Sequence, residues 1–211
     1  MATVLKHEAF CFDSFKTRLF WLDDFEGDQI KDEWNSQGSA GYTTGVVDGV
    51  DGGIVRLTTH IDNTDYVSIN WGSIRSLLVT KNVSFEARVK AGATIGKYYI
   101  GMWYAWDTMI MWLMSTGYGN SRWRNKVVTA GVGTDVDTGI LIDTNWHLLR
   151  IECHTDGGNH VHFYLDNVLV STTVTASIPT AYMFPVVQVS ADAASGATTM
   201  DVDYVGVSQD R

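Results

Sequence analysis

The sequence predicts an all-β protein, an antiparallel two-sheet β-sandwich. Three observations lead to this prediction: apolar and polar residues alternate with a period of two along most of the chain, glycine-rich turns separate the alternating segments, and no segment has the spacing of an amphipathic helix. The 211 residues match the length of one domain. A composition with 45% hydrophobic and 12% aromatic residues excludes an intrinsically disordered chain.

The first strands are short and separated by turns. Short strands are expected near Trp34 and over residues 42–47, among many turn-forming residues. Residues 54–60, 66–71 and 85–90 then alternate cleanly between apolar and polar side chains. This pattern is typical of a sheet with one face on the core and the other in water.

The middle of the chain has a different pattern. Residues 98–106 and 109–114 are apolar at consecutive positions. Such runs predict central strands that are covered on both faces. We expect the second face to be covered by one of three things: an inserted loop, the N-terminal segment or a partner chain.

Residues 146–173 predict a three-stranded meander. Leu149, Ile151 and Cys153 should point inward, and His154 should point outward and oppose His160 or His162 on the next strand. A second tight turn is expected at residues 166–167.

Charge and composition exclude several classes of partner. The formal net charge of −9 argues against nucleic acid and against an anionic membrane surface. No apolar run approaches the roughly 18 residues of a membrane-spanning helix, and the first residues lack the apolar core of a signal peptide. Cys11 and Cys153 are expected to be free thiols, and no cofactor is expected.

Several segments resemble a known superfamily. The meander WHLLRIECHTDGGNHVHFYLDNVLVSTT, the pair FEARVKAG and YYIGMW, and the ending DVDYVGVSQDR are similar to strands of laminin-G-like and concanavalin A-like jelly rolls. The segment DDFEGDQIKDEWN resembles the opening of such domains, in which a DF or FD pair precedes a tryptophan. The resemblance covers about residues 23–208 and implies a concanavalin A-like jelly roll.

The chain also resembles virion structural and decoration proteins of tailed bacteriophages. This resemblance implies a non-enzymatic component of a virion that forms a homo-oligomer and binds capsid or other virion proteins. Residues 1–22 are then an N-terminal arm or first strand, and residues 23–211 are the jelly-roll domain. The aromatic residues expected to contact the partner are Phe10, Phe12, Phe15, Phe20 and Trp21.

A carbohydrate-binding module is the alternative function. Large aromatic side chains concentrate between residues 98 and 123, and such rings stack on the apolar faces of sugars. The same rings also fit a protein interface or an ordinary core, so these interpretations stay open. The candidate sugar-binding residues are Trp103, Tyr104, Trp106, Trp112 and Trp123.

Enzymatic activity is not expected. Retaining β-glucanases of the superfamily carry an E-x-D-x-E strand, whereas this chain offers Asp201 and Asp203 with no flanking glutamate. Polysaccharide lyases of the superfamily carry a Gln-x-His strand. That motif is absent here, although Lys97, Tyr98 and Tyr99 adjoin one another.

Two groups of side chains raise the possibility of a metal site. His147, His154, His160 and His162 lie in one hairpin region and offer nitrogen ligands for zinc. Surface histidines on a wet strand explain them without a metal. Oxygen ligands for calcium are available from Asp135 and Asp137 together with Asp23 and Asp24, although aspartates in loops usually stabilise turns.

Overall fold

The fold is a sandwich of two antiparallel β-sheets, as the sequence predicts. It was analysed in a computed structural model. No α-helix occurs in the part of the chain that this structure describes, which contains one 3-10 helix at Val79–Lys81. The described residues are 18–26, 30–47, 53–62, 64–72, 77–115, 121–155, 158–174, 178–192 and 196–211.

The first sheet has the strand order β14-β13-β12-β7-β16-β4-β3, and β1 pairs with one end of β16. Its strands are β1 Arg18–Asp23, β3 Thr43–Val46, β4 Val55–Thr58, β7 Ser84–Ala91, β12 Trp146–His154, β13 His160–Leu165, β14 Val168–Val174 and β16 Thr199–Asp210.

The second sheet has the strand order β11-β10-β9-β8-β15-β5-β2, and β6 pairs with β15. Its strands are β2 Asn35–Gly38, β5 Tyr66–Asn70, β6 Leu77–Leu78, β8 Lys97–Ala105, β9 Thr108–Ser115, β10 Arg122–Thr129, β11 Val132–Leu141 and β15 Tyr182–Ser190.

The main core lies between the inner faces of the two sheets. In β7 every second residue is buried, beginning with Phe85, as the alternation predicts. The β12–β13 hairpin pairs His154 directly with His160, which confirms the predicted opposition. Asp166 and Asn167 both have positive φ angles, 50° and 66°, in the predicted tight turn.

The chain itself covers the second face of the apolar central strands. Met109 and Met111 of β9 point away from the main core and form a second buried cluster with Val128 of β10. Tyr99 and Trp103 of β8 pack against this cluster. Among the described residues, this second face therefore packs against side chains of neighbouring strands in the same sheet, where an inserted loop, the N-terminal segment or a partner chain was expected.

The end of the predicted N-terminal arm belongs to the sandwich. Residues 18–23 form β1 and pair with residues 205–210 of β16. Phe10, Phe12 and Phe15 lie outside the described residues. Phe20 is 37% exposed.

Trp21, one of the residues assigned to the partner contact, is partly buried and packs on its own domain. Its ring lies edge-on to Trp34 and Trp71, with ring centroids 5.4 Å and 4.8 Å away. These contacts fill the end of the core beside β1, where Phe25 is also buried. The ring is therefore engaged within the sandwich.

A buried carboxylate connects β1 to the following loop. Asp23 is fully buried and accepts hydrogen bonds from the Trp34 indole Nε1 at 2.8 Å and the Phe25 backbone N–H at 2.9 Å. Lys31 Nζ lies 2.7 Å from the same carboxylate. These contacts give a physical reason for Asp23, for Phe25 two residues later and for Trp34 in the opening segment, in which the adjacent Asp-Phe pair is Asp24-Phe25.

Candidate functional site

The outer face of the second sheet forms a cleft of about 860 Å³. Four neighbouring strands, β2, β5, β15 and β8, contribute side chains to its floor and wall. This volume lies within the usual range of ligand pockets, about 300–1,000 Å³.

The strand register arranges the floor of the cleft in rows. One row runs across the sheet through Gln37, Ser68, Gln188 and Tyr99, which are direct partners on adjacent strands. The next row runs through Asn35, Asn70, Val186 and Gly101. Because side chains alternate along a strand, these residues all point outward while Val67, Ile69, Val187 and Val189 fill the core.

Aromatic rings form one wall of the cleft. The Trp103 and Trp106 ring centroids are 4.3 Å apart with their planes at 63°, and Tyr99 lies 6.0 Å from Trp106. Phe184 on β15 is the direct partner of Trp103. Trp106 is 63% exposed, so it offers its ring to a ligand in the cleft.

Amides on the floor are held in fixed orientations. The Asn70 side chain donates to Ser68 Oγ at 3.2 Å and accepts from the Gly72 backbone N–H at 2.7 Å. Gln188 donates to Ser190 Oγ at 3.2 Å. The floor therefore presents polar groups in fixed positions beside the aromatic wall.

The cleft is almost uncharged. Among the lining residues that the structure describes, Lys97 is the one charged side chain, and aspartate and glutamate do not occur. Apart from Gly72 and Val186, the other lining residues carry amides, hydroxyl groups or aromatic rings. This surface suits a neutral ligand with many hydroxyl groups.

Gly101 keeps β8 close to β9 beneath the wall. A Cβ at this position would lie 2.4 Å from the Ile110 carbonyl oxygen and 2.7 Å from Met111 Cα. Both contacts are with backbone atoms, so the strands would have to separate to admit a side chain. The glycine thus maintains the packing on which the aromatic wall depends.

The five aromatic residues predicted to bind sugar lie in three different environments in the structure. Trp103 and Trp106 line the cleft, whereas Tyr104 is 40% exposed outside its lining. Trp112 and Trp123 require a correction, because both rings are buried between the sheets and pack edge-on against each other at 6.2 Å. Neither ring reaches the cleft or the protein surface.

Sequence reasoning missed the polar floor and part of the wall. Gln37, Asn70, Gln188 and Phe184 were not selected as site residues, although all four line the cleft. A signal for Gln188 was present, because it interrupts the apolar run of β15 at an outward position. Its partners come from distant strands and show no pattern in the sequence.

The carboxylates considered for glycoside cleavage lie on the other sheet. Asp201 forms a paired contact with Arg56, with N–O distances of 2.6 Å and 2.9 Å. Asp203 lies 2.5 Å from Arg88 Nη1. Both carboxylates therefore neutralise arginines on the first sheet, away from the cleft.

The lysine and tyrosines considered for lyase chemistry split between the two faces of β8. Tyr98 points into the core, where its hydroxyl group donates to the Ala93 carbonyl at 2.9 Å. Burial raises the pKa of Tyr98 to about 12. Lys97 and Tyr99 point into the cleft.

The predicted calcium ligands are not brought together. Asp135 and Asp137 lie on β11, where Arg124 pairs with both at 2.7 Å and 3.3 Å. Asp23 is buried in the first sheet with its own donors. The four aspartates therefore do not form one site, because they belong to different sheets and serve different ion pairs and turns.

Three of the four histidines considered as zinc ligands form a cluster. The rings of His154, His160 and His162 lie on the outer face of the β12–β13 hairpin, with centroids 4.9–5.1 Å apart. His147 does not join them. Its ring nitrogens contact Asp166 at 2.8 Å and Asp143 at 3.0 Å.

The contacts of His147 predict a pH-dependent contribution to stability. Burial disfavours its charged form, but the hydrogen bonds and charges of Asp166 and Asp143 outweigh burial and raise the pKa of His147. A raised pKa in the folded state means that the stabilisation is complete below the unfolded-state pKa of about 6.5 and is lost as pH rises through the folded-state pKa.

A His147→Gln variant measures this contribution. The wild type should exceed the variant by about 1 kcal/mol in unfolding free energy at pH 5.5, since solvent screens the two half-exposed aspartates. Urea unfolding at pH 5.5 and pH 9 should show that the difference shrinks at the higher pH. A difference that grows with pH would contradict the assignment.

No protein-family model matches the sequence, and no curated protein matches it. Solved structures do share its fold. A glycoside hydrolase family 16 endo-glucanase from Bacteroides ovatus superposes with a TM-score of 0.67 at 16% identity, over 89% of this chain and 99% of that one.

Two further structures are similar over most of their length. The Bacillus licheniformis β-glucanase has a TM-score of 0.63 at 13% identity, covering 89% of this chain and 97% of that one. The Emp47p carbohydrate recognition domain has a TM-score of 0.63 at 11% identity, covering 92% and 98%. At these identities the likeness shows the fold, which is a concanavalin A-like β-sandwich.

The comparisons overturn one prediction and leave another unsupported. The expectation that the chain is not an enzyme is overturned, because several proteins with this fold are glycoside hydrolases or glucanases. The phage resemblance receives no support from these structures. A search of the described residues for a helix able to cross a membrane found none.

Proposed function

We propose that this protein binds a neutral polysaccharide in the cleft on the second sheet. The observation that carries the proposal is the combination of an exposed aromatic wall with ordered rows of amides and hydroxyls on the adjacent floor. The β-glucanases and the carbohydrate recognition domain that share the fold support the same class of ligand.

The aromatic wall supplies apolar contact area. Trp106 is the most exposed of its rings, and Tyr99 and Trp103 pack against it and limit its motion. A ring that is already held in place loses little conformational entropy when a sugar packs on its face. The C–H groups of a pyranose provide a matching apolar surface.

The floor supplies directional contacts. Gln188 and Asn70 are nearly buried, and their amides can exchange hydrogen bonds with sugar hydroxyls because an amide group both donates and accepts. Since Lys97 is the one charged group in the described lining, a neutral chain enters the cleft without burying an unpaired acidic group.

Replacing Trp106 with alanine tests the proposal. Affinity electrophoresis in gels containing β-1,3-glucan, mixed-linkage β-glucan or α-mannan should retard the wild type in at least one gel. The variant should bind that polysaccharide at least about tenfold more weakly, because truncating an exposed aromatic anchor removes a major share of the contact energy. The retardation should persist at high salt, since the contacts are uncharged.

The matched control is Tyr104→Ala. Tyr104 is also exposed and lies on the same strand, but outside the lining of the cleft. This variant should keep wild-type retardation. Equal weakening in both variants, or no retardation of the wild type in any gel, would contradict sugar binding at this cleft.

Assembly with capsid or other virion proteins stays a prediction of the sequence. The structure describes Phe20 and Trp21 of the five aromatic residues assigned to that contact. Trp21 packs within the domain, and Phe20 lies on β1 with 37% of its surface exposed. The sugar-binding proposal does not depend on that assembly.

A further inference from the structure

We propose that the β12–β13 hairpin binds a divalent transition-metal ion, Zn²⁺, through Glu152, His154 and His162. These residues lie on the outer face of the first sheet, whereas the cleft lies on the outer face of the second. The proposal is therefore independent of sugar binding.

The ligand atoms already lie close together. One carboxylate oxygen of Glu152 and one ring nitrogen each of His154 and His162 are all within 4.8 Å of one another. The Glu152 Oε2 to His154 Nε2 distance is 3.5 Å. Two ligands about 2.0–2.1 Å from a tetrahedral zinc ion are about 3.3 Å apart, so this pair is near the required spacing.

One of these nitrogens lacks a hydrogen bond in the structure. His154 Nε2 is buried from solvent and has no hydrogen-bond partner among the described residues. In place of a hydrogen bond this nitrogen has the 3.5 Å contact with Glu152 Oε2, and a metal ion bound to its lone pair would supply the missing interaction. The His154 side chain as a whole is 38% exposed, but this one nitrogen is shielded from water.

The backbone fixes the other members of the cluster. Glu152 and His162 are direct partners across the β12–β13 ladder, and His154 is the direct partner of His160. His162 Nδ1 lies 3.3 Å from the Tyr164 hydroxyl group, a contact that orients the ring as outer partners orient metal-bound histidines. The ligands therefore sit on paired strands and not on a loop.

The donor set favours zinc over hard cations. Imidazole nitrogens are preferred ligands of Zn²⁺, Cu²⁺ and Ni²⁺, whereas Ca²⁺ and Mg²⁺ prefer oxygen ligands only. Two imidazoles and one carboxylate leave a fourth coordination position for water. Cys153 cannot contribute, because its thiol is buried on the opposite face of β12, where burial raises its pKa.

Calorimetric titration of untagged protein with ZnCl₂ at pH 7.5 tests the site. The wild type should bind one equivalent of zinc and show little heat with MgCl₂ or CaCl₂. His154→Ala and His162→Ala should each weaken the affinity at least about tenfold, because even the loss of an outer partner of a metal ligand costs about 10–100-fold. His162→Gln should show the same loss with an unchanged circular dichroism spectrum.

Two control variants exclude other zinc ligands. His60→Ala disrupts the other described group, in which His60, Asp62 and Asp65 come together. Cys11→Ser removes the cysteine outside the described residues. Both controls should retain wild-type affinity. The proposal is overturned if the wild type takes up no zinc, or if the hairpin variants bind zinc with wild-type affinity.

Discussion

The Trp112→Ala variant should lose about 4 kcal/mol of unfolding free energy and keep the polysaccharide affinity that we propose for the folded protein. Trp112 is fully buried, with its ring edge-on to Phe163 at 5.6 Å, and its indole Nε1 donates to the Arg150 carbonyl at 3.3 Å. Truncation leaves a large cavity between the sheets, and such changes cost about 3–5 kcal/mol. Urea unfolding followed by circular dichroism measures the loss.

Trp103→Ala should behave in the opposite way. Its ring lines the cleft and is partly exposed, so truncation should weaken polysaccharide binding at least about tenfold while costing only about 1–2 kcal/mol of stability. Comparing the two variants separates a core tryptophan from a binding tryptophan. If Trp112→Ala abolished binding under conditions where it is folded, the division between core and cleft would be wrong.

The Asp23→Ala variant should lose about 3 kcal/mol of unfolding free energy. The carboxylate is fully buried and accepts from the Trp34 indole and the Phe25 backbone N–H. Its removal leaves two buried donors without an acceptor, each costing about 1–3 kcal/mol, and ends the contact with Lys31. Urea unfolding at pH 7 gives the free energy directly.

Asp24→Ala is the matched control for that measurement. It removes the same charge from the next residue, where the exposed carboxylate accepts from the Glu26 backbone N–H at 3.4 Å. Its unfolding free energy should stay within about 0.5 kcal/mol of the wild type. Similar losses in both variants would show that net charge, and not the buried hydrogen bonds, determines the result.

The strands and their faces could be predicted where one face of the sheet meets water. In β7 and in the β12–β13 hairpin the period of two separates buried from exposed positions, and the five residues between His154 and His160 set the register that pairs them. Local pattern and local turn length were sufficient for these elements.

The central strands could not be resolved in the same way. Both faces of β9 are buried, so Met111 and Trp112 give the same hydrophobic signal although they point in opposite directions. Periodicity therefore could not show that Trp112 faces the core. Asp23 was unpredictable for a different reason. An aspartate that accepts a hydrogen bond from an indole eleven residues away looks, in the sequence, like any acidic residue in a turn.

The floor of the cleft was beyond prediction for a topological reason. Gln37, Ser68, Gln188 and Tyr99 become neighbours only when β2, β5, β15 and β8 assemble in that order. Strand order departs from chain order in this sheet, and no spacing in the sequence encodes it. The aromatic wall was partly predictable, because Trp103 and Trp106 are close in sequence.

Assembly from distant strands also links occupancy of the cleft to folding of the whole domain. No short segment can hold the rows of the floor on its own, so a ligand binds the folded chain and not the unfolded one. A ligand at about 100 times its Kd then adds about 2.7 kcal/mol of stability. In a chain of this length that gain corresponds to a rise of roughly 5–10 °C in Tm, so thermal unfolding can screen sugars without an activity assay.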